Sequence, residues 1–163
     1  MAFETELKVY QFQFTLGQKL LEGISPETVA TSTCEGGQHP AWVIGHLGYV
    51  ANQVASMFGG TPEIDMAAWK TQFDMGTDLS QSLADYPAWD VLVSTWEKGH
   101  ENVAKLAPGA SDDFLSQPTP YESMRPALPT MREFLGFVLT GHEALHLGQL
   151  SAWRRANGLP RLF

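Results

Sequence analysis

The sequence predicts an all-α chain, a four-helix bundle with a long crossover connection between its second and third helices. Three observations lead there. Four segments repeat apolar residues at three- and four-residue spacing over lengths that suit helices. Gly and Pro punctuate the stretches between them, and no run shows the strict alternation of a half-buried strand. With 163 residues, 44% of them apolar, the chain is long enough for one domain over 1–163 with a sizeable core.

The first helix covers residues 3–22, with Phe3, Leu7, Tyr10, Phe14 and Leu21 on its apolar side and Gly23 as its stop. A Gly- and Thr-rich segment follows, with one short turn opened by Ser25 and Pro26, until Pro40 takes the first position of a second helix that runs to about Phe58. The inward stripe of that helix reads Val43, Leu47, Val50, Val54 and Met57, and His46 falls on it. The connection Gly59–Tyr86 is too long for a hairpin between helices, which makes it a crossover carrying at most one short helix over Met66–Phe73.

Pro87 opens the third helix, whose stripe is Trp89, Leu92, Val93, Trp96, Val103 and Leu106, before the stop at Pro108-Gly109. A Pro-rich loop leads to the last helix, which Thr130 and Glu133 open as a T-x-x-E capping box and Asn157-Gly158 with Pro160 close. Read as one uninterrupted helix, it turns Met131, Phe134, Leu135, Val138, Leu139, Leu145, Leu150 and Trp153 inward.

Charge and composition exclude several functions. Ten Lys and Arg against eighteen Asp and Glu leave a net charge of −8, so no basic stripe is available to displace counterions from a nucleic acid. The single cysteine, Cys34, has no intrachain partner, and Met1-Ala2-Phe3-Glu4 lacks the basic-then-apolar order of a secretory signal, so the cytoplasm is the expected compartment. No apolar run reaches the ~18 residues of a membrane span.

The chemistry concentrates in the last helix. His142 and His146 lie four apart on its inward stripe, so both imidazoles can face a single atom. The same string matches the H-E-x-x-H pattern of zinc proteases with Glu143 as general base, but residues 147–163 contain no His, Asp or Glu to complete that site. A third ligand must come from upstream, where His39, His46 and His100 are the candidates. His39 sits about 10 Å from His46 along a continuous helix and suits a cap or a rim. His46 and His100 both lie on inward stripes, and spacing does not separate them.

Around the pair, Gln149 is three residues after His146 on the same face and is placed to hold its second ring nitrogen. Glu143 is one step around the helix, a candidate supporting or acid/base group set against the plainer reading of a solvated side chain. Trp42, Tyr49 and Gln53 flank His46 at helical spacing and are candidates to wall a binding pocket, with core packing the plainer role for Trp42. Arg154 and Arg155 suit either an acidic cofactor or the dipole of the helix end. The abundance of tryptophan on a bundle of this size favours a homodimer through an exposed helix face.

The run HPAWVIGHLG from His39, the run GHEALHLGQL from Gly141 and the tail RRANGLP from Arg154 together resemble the DinB-like (YfiT-type) superfamily of small metalloproteins. The likeness extends over essentially the whole chain in helix order. It implies a four-helix bundle that holds a divalent metal, zinc or nickel, through one histidine of the second helix and the H-x-x-x-H pair of the fourth, hence His46, His142 and His146. It also implies a low-molecular-weight thiol such as bacillithiol or mycothiol, used in S-transfer or thiol-assisted isomerisation. Metal-dependent hydrolysis and a non-catalytic, stress-related metal-binding bundle are the other readings such a site allows.

Overall fold

The computed structural model describes residues 2–162, and among them every regular element is helical. The elements are α1 Glu4–Leu21, α2 Pro40–Met57, α3 Met66–Phe73, α4 Trp89–Leu106, α5 Asp112–Leu115, α6 Met131–Phe137 and α7 Glu143–Ala156. A π turn, Val138–His142, joins α6 to α7. No described helix is long and apolar enough to cross a membrane.

α2 is the central rod. Unlike an amphipathic surface helix it is buried on nearly every side, from Pro40 to Tyr49 without a break, because α3, α4 and α7 all pack on it. Glycines let two of these neighbours come close. A Cβ at Gly45 would lie 2.1 Å from the Phe73 ring of α3, and one at Gly48 would lie 3.2 Å from the α4 backbone at Trp96. α1 packs on α7 and on the π turn, burying Tyr10, Phe14, Gly17 and Leu20.

Local signals explain the boundaries. α1 ends just before Gly23, whose φ of 75° is the left-handed conformation that glycine adopts freely. α2 begins with Pro40 behind His39, whose ring Nδ1 accepts the Trp42 N–H at 3.3 Å. The short helix α3 falls on Met66–Phe73 as the sequence predicts, capped by the Asp65 carboxylate. Thr130 and Glu133 form the predicted capping box, with the Glu133 carboxylate accepting the Thr130 N–H at 2.9 Å.

The last helix departs from its prediction. It is not uninterrupted: the π turn inserts an extra residue, so every later position is rotated by about 100° relative to a continuous α-helix. Leu145, expected inward, is 62% exposed, while Leu147 and Glu143 enter the core at 2% and 3% exposure. Leu150 and Trp153 are buried as expected, because both lie where the two phases overlap.

Candidate metal centre

Two helical rods bring three imidazoles together. His46 comes from the middle of α2, His142 from the last residue of the π turn and His146 from the first turn of α7. One ring nitrogen from each lies within 4.8 Å of the others, and the Nε2 atoms of His46 and His142 are 3.1 Å apart. Two of the rings are anchored from behind. His46 donates its Nδ1–H to the Phe73 carbonyl at the end of α3 (2.6 Å), and His146 donates its Nδ1–H to Gln149 Oε1 (2.7 Å). Each bond fixes the tautomer and leaves an Nε2 lone pair turned toward the shared centre. Trp42 stacks on His46 with ring centroids 4.8 Å apart and planes 9° from parallel, and its indole N–H is held by Thr77 Oγ1 at 3.0 Å.

Burial keeps these rings uncharged. It is the largest influence on all three, driving His142 down to about 3 and His146 to about 4, with the neighbouring imidazoles pushing the same way. His46 is lowered as well, by burial, against the opposing pull of the Phe73 carbonyl and the Asp74 charge. With Nδ1–H engaged elsewhere, His46 and His146 present Nε2 lone pairs to the common centre, and His142, whose Nε2 lies 3.1 Å from that of His46, brings a third imidazole nitrogen within reach of the same divalent cation. The donor set therefore fits a metal ion, by ligand number, ligand type and second-nitrogen partners alike.

A family model described as the DinB superfamily matches residues 15–150. The chain belongs to the DinB superfamily. That match spans most of the chain and includes all three clustered histidines and Gln149. A comparison with curated proteins finds no match.

In this DinB-superfamily chain the other two histidines lie apart from the cluster. His100, which spacing left level with His46, is sandwiched in the core, its ring 3.6 Å from Tyr10 and 4.3 Å from Phe14 by centroid, with Nε2 on the Tyr10 carbonyl at 3.1 Å. His39 caps α2 through Nδ1 and meets the Ser80 carbonyl through Nε2 at 2.9 Å. His39 thus has a partner on each ring nitrogen and His100 one on Nε2.

The candidate wall residues are divided between packing and the site. Trp42 covers one face of His46, so packing and site lining coincide in it. Tyr49 is buried one turn further along α2, and Gln53, half-buried a turn beyond, accepts the Tyr121 O–H at 3.2 Å. Glu143 is not a solvated side chain. The π turn carries it into the core, where Oε1 accepts the Trp96 N–H at 3.3 Å and burial pushes its carboxyl up to about 8. Arg154 is committed to the end of α1, its Nη1 donating to the carbonyls of Leu20 and Glu22 at 2.8 and 2.5 Å.

Sequence reasoning missed Phe73, Asp74 and Tyr121. The Phe73 contribution is a backbone carbonyl, which no residue type signals, and Tyr121 reaches Gln53 from the irregular segment before α6.

Proposed function

We propose that this chain is a divalent-metal-dependent enzyme, a single domain whose long helices form a four-helix bundle around the ion, and that it takes a low-molecular-weight thiol as co-substrate. The metal reading is carried by one observation, the convergence of three uncharged imidazoles within 4.8 Å, two of them with Nδ1–H already bonded to an oxygen. His46, His142 and His146 are the ligands, and zinc or nickel suits an all-imidazole set. Bound there, the ion would supply Lewis acidity at a vacant position, which favours loss of a proton by a thiol or water that reaches it.

The remaining work falls to the protein. Phe73 and Gln149 aim the rings of His46 and His146, and Trp42 keeps water from one face of His46. Tyr49 and Gln53, the latter tied to Tyr121, form the wall along α2 against which an organic co-substrate would lie. The thiol is supported by the likeness of the histidine motifs to thiol-using members of the superfamily and by the open coordination that three ligands leave.

The test begins with metal content. Untagged protein loaded with zinc or nickel is expected to hold about one equivalent by mass spectrometry, and less than about 0.2 equivalents overturns the reading. Loaded protein is then given bacillithiol, mycothiol or glutathione with monochlorobimane, and turnover above a His46→Ala control is expected with at least one thiol. Ester hydrolysis without thiol would move the assignment to a hydrolase. Metal binding without either reaction would leave a non-catalytic bundle.

A further inference from the structure

Gln13 lies on α1 one turn before Gly17, where a Cβ would stand 2.7 Å from the Trp96 ring and 3.1 Å from Leu147. The side chain is buried, and its Nε2 donates to the Thr140 carbonyl at 2.6 Å. Its Oε1 is buried without a partner among the described residues. An amide with one polar atom unmet is a costlier occupant of a helix interface than Leu or Met of similar size, so the single bond it makes has to account for its presence.

That bond reaches the π turn. The Thr140 carbonyl also accepts the Glu143 N–H, only three residues ahead, while the Thr140 hydroxyl turns back to the Gly136 carbonyl at 2.7 Å. His142 is the final residue of the same turn and lies 3.1 Å from His46 by Nε2. Wide turns in helices persist where an outside group engages the displaced backbone, and here that group comes from α1, which carries none of the three histidines. Neither ring nitrogen of His142 has an anchor like Phe73 or Gln149 among the described residues, so its aim depends on the backbone beneath it.

We propose that Gln13 is a positioning residue for His142: by holding the Thr140 carbonyl it fixes the π turn at the phase that points His142 toward His46 and His146. This rests on the metal-binding reading above. A ligand left loose by even a fraction of an ångström weakens a three-ligand site, because each ring must meet the ion at a narrow range of distance and angle.

Cobalt(II) alone is the probe, titrated into the full chain and followed by its visible absorption and by competition with a chelator. Gln13→Met keeps the length of the side chain and removes the N–H donor. It is expected to weaken cobalt binding by about tenfold or more and to shift the visible bands toward those of His142→Ala, with unchanged helix content by circular dichroism. Wild-type affinity and wild-type bands in folded Gln13→Met overturn the proposal. If Gln13→Met does not fold, hydrogen exchange on the wild type decides. Metal should then slow exchange of the Gln13 side-chain amide and of the amides of 138–143, and protection confined to α2 overturns it. A wild type that binds no cobalt overturns the metal reading and this inference together, whereas normal wild-type binding with an indifferent Gln13→Met overturns this inference alone.

Discussion

At the scale of single residues the site is decided by which nitrogen of each ring is occupied. A backbone carbonyl can only accept, so the Phe73 oxygen requires the proton of His46 at Nδ1, and Gln149 Oε1 requires the same of His146. Gln149→Ala removes that requirement and the tether on the ring at once. It is expected to lower metal affinity by about 10- to 100-fold with the melting temperature of the metal-free protein nearly unchanged, as read by chelator competition and a thermal scan. Gln149 could be picked out beforehand because a partner three residues along a helix is local. Phe73 could not, since its contribution depends on where a separate helix ends.

At the scale of elements, α3 is the support for His46. Its end is set by the close approach at Gly45, where a methyl group would stand 2.1 Å from the Phe73 ring. Gly45→Ala is expected to destabilise the fold by about 1–3 kcal/mol through overpacking and to weaken metal binding, because displacing Phe73 carries its carbonyl away from His46. Gly148 provides the contrast. A Cβ there meets nothing within 4 Å on the exposed side of α7, so Gly148→Ala is expected to stabilise by about 0.5–1 kcal/mol and to leave metal binding unchanged. Urea unfolding with and without zinc distinguishes the two. The start of α2 and the capping box of α6 were legible because Pro40 and Thr130 act within one turn of their own positions. The π turn was not, because VLTGH contains no residue that forbids a regular helix.

The whole molecule holds opposing protonation preferences. All five histidines are driven below their ordinary value of 6.5, so in metal-free protein the folded state binds fewer protons than the unfolded one as pH falls below that value, and stability drops. Glu143 acts in the opposite sense. Its carboxyl keeps a proton up to about 8 in the folded state but loses it near 4.5 when unfolded, so its contribution declines as pH rises between those values. The two effects balance where the five unfolded imidazoles together retain about one proton, roughly half a pH unit above 6.5; below that the imidazoles dominate and above it Glu143 does. The urea midpoint of metal-free protein is therefore expected to peak at about pH 7 and to fall on both sides, and Glu143→Gln should flatten the decline toward pH 8 while leaving the acid limb in place.

The sequence by itself determined the helical class, the helix caps and the inward placement of His46, since each follows from side-chain periodicity and from chemistry confined to one helical turn. Only the tertiary structure decided that His100 belongs to a stack with Tyr10 and Phe14, that Glu143 is buried against Trp96, and that Leu147 rather than Leu145 fills the core. The physical reason is common to all three. A helix face is buried by what packs against it, and a one-residue change of phase, held from a different helix, rewrites which side chains meet.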